Sequence, residues 1–206
     1  MITEQLERRG IRDERVLDAF RSVPREAFVP ADAAEGAYED HPLQIGYEQT
    51  ISQPYMVGLM TQCLELKGTE RELEIGTGSG YQAAILCELA AQVYSIERIA
   101  ALSERAGLAL QYCGYANVHL RVGDGTLGWP DESPFDRIIV TAAAPDVPES
   151  LKRQLADGGI LVIPVGPVGM QQLMVLRKHA QRTEGESVCD CIFVRLIGKE
   201  GYAESS

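Results

Sequence analysis

From Gly68 to Val165 the chain alternates short apolar runs with stretches of helical spacing, and this alternation restricts the fold more than any other feature. Runs at 72–75, 92–96, 118–122, 135–141 and 160–165 have the length of strands. Residues 81–89, 100–112 and 148–155 lie between them and carry apolar side chains at helical intervals. Such alternation specifies an α/β fold, a doubly wound, mostly parallel sheet with helices on both faces. Two more runs, 172–177 and 189–196, are joined only by the polar stretch 178–187. They predict a C-terminal antiparallel hairpin at the sheet edge.

Ahead of Gly68 the pattern is helical or irregular. Residues 3–9 and 13–22 predict two short helices, the second capped by Asp13 and carrying Val16, Leu17 and Phe20 on one side. Residues 30–50 read as a long irregular segment, and loops of that length are usually functional or disordered. From Pro54 the spacing of Met56, Leu59, Met60, Cys63 and Leu64 predicts a helix to about Leu66. The 206 residues suffice for one domain, a helical cap and active-site loop over 1–66 and an α/β core over 67–206.

Composition narrows the partners. The net charge is −11 and no basic cluster stands out, so nucleic acid is not an expected partner. No apolar run approaches the ~18 residues of a membrane helix. The five cysteines are odd in number, and Cys189 and Cys191 have no second pair at zinc spacing. With a charged rather than signal-like N-terminus, this predicts free thiols, no metal and a cytoplasmic location. Oligomeric state is not legible here; a monomer is the default expectation.

The segment Glu72-Leu-Glu-Ile-Gly-Thr-Gly-Ser-Gly-Tyr81 follows a predicted strand and opens a predicted helix, the setting of a nucleotide-binding turn. Gly76, Gly78 and Gly80 allow a tight turn and close approach to a ligand. A dinucleotide site wants a small residue where this chain has Tyr81, and the third glycine comes one position early. There is no Gly-Lys-Ser/Thr of a phosphate loop. Glu74, two residues before the first glycine, would repel a pyrophosphate but suit a cofactor bearing an ammonium and a sulfonium. The balance favours S-adenosylmethionine over NAD. Glu97 ends the next strand, where ribose hydroxyls arrive in such sheets, with helix capping as the alternative. Asp124, in Gly123-Asp-Gly125, is placed to accept from an adenine amino group or to make a simple turn.

Several segments resemble the protein-L-isoaspartate O-methyltransferases. They are Ile45-Gly-Tyr-Glu-Gln-Thr-Ile-Ser-Gln-Pro-Tyr-Met56, the glycine loop, Tyr94-Ser-Ile-Glu-Arg98, Val122-Gly-Asp-Gly125, Phe135-Asp-Arg-Ile-Ile-Val-Thr-Ala-Ala-Ala-Pro145 and Gly158-Gly-Ile-Leu-Val-Ile-Pro-Val-Gly166. Thr50-Ile-Ser-Gln-Pro54 is the most specific of them. The resemblance implies a class I methyltransferase that uses S-adenosylmethionine to methylate the free α-carboxylate of isoaspartyl residues in damaged proteins. It implies that Ser52 serves the active site, with Gln53 beside it on the substrate. Thr50, Ile51, Glu74, Gly76, Thr77, Gly78, Gly80, Glu97, Arg98, Asp124 and Gly125 would hold the cofactor, and residues 197–202 would close over it. The chain departs from the family at Glu48, where glycine is usual. A glutamate there would be strained at positive φ and would repel a nearby anionic substrate.

An isoaspartyl carboxylate is ionised at neutral pH and needs no general base. The three scattered histidines, His41, His119 and His179, therefore need no catalytic part, and Ser52 is read as a positioning donor. Its alternative is a helix cap ahead of Pro54. Two competing readings stand beside this one. One is a methyltransferase of the same fold acting on a small carboxylate or hydroxyl; the other is a cofactor-binding protein that lost catalysis through Glu48.

Overall fold

The computed structural model describes residues 1–180 and 182–204. Its centre is a seven-stranded sheet of order β5-β4-β3-β6-β7-β8-β9. The strands are β3 (Arg71–Ile75), β4 (Gln92–Glu97), β5 (Val118–Val122), β6 (Phe135–Val140), β7 (Leu155–Val165), β8 (Gln171–His179) and β9 (Arg182–Cys191). Strands β3 to β7 run parallel and β7-β8-β9 antiparallel. Helices α3 (Tyr81–Cys87), α4 (Ala100–Tyr112) and α5 (Glu149–Gln154) connect the parallel strands. The chain steps outward from β3 through β4 to β5, then returns to the other side of β3 as β6. Neighbouring carboxyl ends of β3, β4 and β6 at this reversal form the crevice where such sheets bind ligands.

The sheet has an apolar layer on each face. Leu73, Ile75, Ile96, Ile138 and Val140 pack with Leu151 of α5 on one side. On the other, α3 meets the N-terminal segment, with Tyr81 edge-on to Phe20 and Phe28 at 6.0 and 5.8 Å between centroids. Each such pair adds about 0.5–1.5 kcal/mol beyond its buried area. Helix α1 (Glu14–Ser22) presents Val16, Leu17 and Phe20 to this layer. Asp13 caps it as expected, accepting from the Arg15 amide at 2.9 Å. The expected helix over 3–9 is a π-turn, Ile2–Leu6, followed by a 3-10 turn, Glu7–Arg9, that stops at left-handed Gly10.

Two expectations need correction. The segment over 30–50 is ordered: a 3-10 turn at Ala31–Gly36 leads into a hairpin of β1 (Leu43–Gly46) and β2 (Gln49–Ile51). Its turn residues, Tyr47 and Glu48, both take positive φ, 55° and 58°. That backbone is normally announced by Asn or Gly, so the sequence carried no turn signal. The polar stretch 178–187 is not a connection but mostly strand, since β9 spans Arg182–Cys191. As the sheet's terminal strand it is exposed along most of its length and reads as polar rather than apolar. Residues 194–196 instead fold back to the end of β6, where the Ala143 amide donates to the Val194 carbonyl at 2.8 Å. Helix α2 (Pro54–Cys63) follows β2 and ends before the expected Leu66.

Candidate active site

Three cavities meet above the carboxyl ends of β3, β4 and β6. An outer lobe of about 540 Å³ is walled by Ile96, Glu97, Arg98, Gly125, Ala142 and Leu196. An inner lobe of about 420 Å³ is walled by Ile51, Ser52, Thr77, Ser79, Tyr81 and Gln82. Thr50, Gly76, Gly78 and Thr141 border both lobes. A wider groove of about 1220 Å³ opens beside them, with Arg9, Gln53, Tyr55, Asp190 and Phe193 along it. Thr50 and Thr141 border all three spaces, and Ser52 borders the inner lobe and the groove.

The glycine loop is shaped by what surrounds it. Gly76 takes φ +97°, and a Cβ there would strike Thr141 Oγ1. Thr141 Oγ1 itself lies 2.7 Å from the Gly76 carbonyl, to which it donates, and the Thr141 amide donates to the Ile75 carbonyl at 2.9 Å. Gly80 is the left-handed N-cap of α3 and lies against Ala106 of α4, outside the lobes. The β1–β2 hairpin covers the loop: Ile45 Cδ1 stands 3.5 Å from where a Gly78 Cβ would be, and Arg105 donates to the Ile45 carbonyl.

Glu97 is 6% exposed at the end of β4. Its Oε2 accepts from the Gly78 amide and its Oε1 from the Ile99 amide, each at 2.9 Å. It thus holds the turn that leads into α4 and also fastens the glycine loop. A carboxylate has about four acceptor sites, so each oxygen keeps one unused, and Glu97 borders the outer lobe. Arg98 borders the same lobe and pairs with Glu204 at 3.1 Å.

Glu74 is placed differently from its expected role. Alternation along β3 turns Glu72 and Glu74 into the layer beneath α3, and Glu74 borders neither lobe. Ser95 Oγ donates to Glu74 Oε2 and lies 2.5 Å from Thr77 Oγ1. Burial, only partly offset by the Ser95 hydrogen bond, pushes the Glu74 carboxyl up to about 8. At neutral pH it is largely protonated, so it braces the loop from below rather than answering a cationic ligand with charge.

Asp124 is also committed. Oδ1 accepts from the Thr126 amide at 2.9 Å and its hydroxyl at 2.7 Å, and Oδ2 accepts from the Lys199 amide at 2.8 Å. The turn reading therefore holds for one oxygen, while the other fastens the C-terminal segment. Ser150 holds Glu200 from its amide at 2.8 Å, and the Tyr202 amide donates to the Leu196 carbonyl at 2.8 Å. Residues 194–197 in this way form a wall of the outer lobe. Ser52 does not cap α2. The cap position is Gln53, and Asp40 Oδ1 accepts from the Tyr55 amide at 3.1 Å. Sequence reasoning missed Asp40, which nothing local announces, and Thr141, which the strand order does announce. Thr141 follows directly on β6, beside the reversal.

Glu48 is exposed and borders none of the three spaces, so its carboxylate does not face the groove. No histidine lines them either. His41 pairs with Glu39 at 2.9 Å, His119 stacks on Tyr94, and His179 ends β8.

The profile of the protein-L-isoaspartate(D-aspartate) O-methyltransferase family matches residues 1–201. The chain belongs to this family. Among similar isoaspartate O-methyltransferases, that of Dictyoglomus turgidum is 53% identical over 203 residues, 98% of this chain and 92% of its own. One from Syntrophobacter fumaroxidans is 54% identical, over 98% of this chain and 94% of its own. A solved protein-L-isoaspartate O-methyltransferase superposes with a TM-score of 0.86 at 30% identity, covering 98% of this chain and 67% of that one. A Plasmodium falciparum chain described as a family member, in complex with S-adenosyl-L-homocysteine, gives 0.82 at 26% identity, covering 95% and 96%. An isoaspartate methyltransferase of this fold needs a place for S-adenosylmethionine, and the residues present fit it. The two joined lobes offer a partly apolar wall with a buried carboxylate at one end, glycine backbone at the waist, and a polar end at Thr77, Ser79 and Gln82.

Proposed function

We propose that this chain transfers a methyl group from S-adenosylmethionine to the free α-carboxylate of L-isoaspartyl residues in damaged proteins and peptides. The observation that carries the reading is the convergence of both lobes and the open groove on Thr50 and Thr141, with Ser52 where the inner lobe meets the groove. A cofactor lying along the lobes and a peptide lying in the groove would meet only there. When bound, S-adenosylmethionine supplies an electrophilic methyl on a sulfonium that departs as a neutral thioether.

The remaining work falls to the chain. Glu97 and the waist glycines Gly76 and Gly78, with Gly125 and Arg98, hold and orient the cofactor in the outer lobe. Thr50 and Ile51 lie over it, with Thr77 at the inner end. Ser52 donates from its hydroxyl to the substrate carboxylate and fixes one oxygen in line for attack, and Gln53 borders the path of the peptide. The carboxylate reference pKa of about 4 leaves it ionised, so orientation and exclusion of water suffice. The histidine-free lining agrees with chemistry that removes no proton. Residues 194–197 and the hairpin wall the lobes and limit competing water.

Isoaspartyl proteins and peptides are the partners in this reading, and five unpaired cysteines go with a reducing cytoplasm. Among the described residues no helix is long and apolar enough to cross a membrane. Ser52→Ala tests the site. Steady-state kinetics on an isoaspartyl peptide should show a loss of about tenfold to a hundredfold in kcat/KM, the worth of one hydrogen bond to a charged group. S-adenosylhomocysteine affinity should stay intact. An unaltered rate removes Ser52 from the site, and abolished activity with a covalent adduct at Ser52 replaces positioning by nucleophilic catalysis.

A further inference from the structure

Arg25 is wholly buried, and no step described above uses it. It opens a short 3-10 turn, Arg25–Phe28, after Pro24. Its Nε donates to the Ala37 carbonyl at 2.7 Å and its Nη2 to the Ser52 carbonyl at 2.6 Å. Its guanidinium carbon lies 4.7 Å from the centroid of the Tyr81 ring. Tyr81 is the first residue of α3 and walls the inner lobe. One side chain therefore ties three segments that are remote in sequence: the turn before the hairpin, the Ser52 loop and the helix opened by the glycine loop.

Stability alone does not account for it. A buried charge is costly unless closely paired, and Asp40, the carboxylate whose charge reaches Arg25, is itself paired with Arg9. Among the described residues Nη1 has no hydrogen-bond partner. An unbranched apolar side chain would avoid that desolvation cost, though it would leave the Ala37 and Ser52 carbonyls without this donor. What the guanidinium provides instead is a rigid planar fork that spans two carbonyls while its face rests on an aromatic ring. The carbonyl it holds belongs to Ser52, at the junction of lobe and groove.

We propose that Arg25 is a positioning residue for methyl transfer: it locks the Ser52 backbone against Tyr81, so that the Ser52 hydroxyl meets the substrate carboxylate at a fixed point relative to the cofactor lobes. The proposal rests on the role given to Ser52 above. Misplacement by about 1 Å can cost on the order of a hundredfold in rate without any contact to the reacting atoms.

The test compares wild type, Arg25→Met and Arg25→Lys in kinetics on an isoaspartyl peptide, in S-adenosylhomocysteine titration and in thermal unfolding. Arg25→Met should fold, bind S-adenosylhomocysteine within about twofold of wild type, and lose about tenfold to a hundredfold in kcat/KM. Arg25→Lys keeps the charge but cannot span both carbonyls, and should recover part of that loss. Unchanged kinetics in Arg25→Met overturns the proposal. So does a parallel loss of cofactor affinity, or failure of both variants to fold, since either makes Arg25 a general brace. A wild type that leaves the peptide unmethylated overturns the functional reading itself, which a silent Arg25 variant of an active enzyme does not.

Discussion

Glu97 and Glu74 stand 23 positions apart in sequence and on adjacent strands, yet burial and partners give them different tasks. Glu97 has a face on the outer lobe and two backbone amides on its oxygens. Its replacement by alanine should weaken S-adenosylhomocysteine binding by about 1–3 kcal/mol in calorimetry, the range of a charge-assisted hydrogen bond. An unchanged dissociation constant would reduce Glu97 to a brace of the glycine loop and the turn before α4. Glu74 is sealed under the loop, its carboxyl pushed by burial to about 8 from the ordinary 4.5. Below about pH 4.5 both folded and unfolded chains keep this proton. Between about 4.5 and 8 only the unfolded chain releases it, so stability falls as pH rises, by up to about 1.4 kcal/mol per unit, and levels off above. Glu72, buried beside it and raised well above the usual range by desolvation and by Glu74, tilts the same way. Glu74→Gln should therefore show a shallower decline in urea midpoint between pH 5 and pH 8 than wild type. Equal slopes would mean that Glu74 is ionised in the folded protein.

Elements with strong periodicity were legible from sequence, and those whose environment defeats periodicity were not. Strand β5 and helix α4 occupy the residues their spacing indicated, and β3, β4 and β6 differ by about one residue at an end, because each of these three carries a short apolar set that the sheet buries. Strand β9 was hidden by its exposure and the β1–β2 hairpin by its turn. The lobes were legible through the glycine loop and Glu97, whereas Thr141 enters through strand order and Asp40 through tertiary packing. Asp124 and Glu74 sit near their expected places but face partners that no local pattern reveals. The hairpin turn yields its own prediction. Glu48 holds a left-handed backbone, which costs an ordinary residue about 1–2 kcal/mol and glycine little. Glu48→Gly should raise the unfolding midpoint, leave cofactor affinity alone, and keep or improve kcat/KM on an isoaspartyl peptide. A large loss of activity would show that the Glu48 carboxylate takes part after all.

At the scale of the molecule, the sheet reversal gathers the ends of β3, β4 and β6, and the N-terminal segment brings Thr50 and Ser52 across them. Neither part makes the site alone: the sheet ends supply the glycine loop, Glu97 and Thr141, and the N-terminal segment supplies Thr50, Ile51 and Ser52. This arrangement suits a positioned, base-free transfer to an acceptor that arrives already ionised. The central claim is that the acceptor is an isoaspartyl α-carboxylate. It is tested most directly by offering two peptides of one sequence, one with L-isoaspartate and one with ordinary L-aspartate, together with methyl-labelled S-adenosylmethionine. Base-labile methyl ester should form on the isoaspartyl peptide and stay at background on its twin. Equal labelling of both, or labelling of neither while a small carboxylic acid is methylated, would contradict the account.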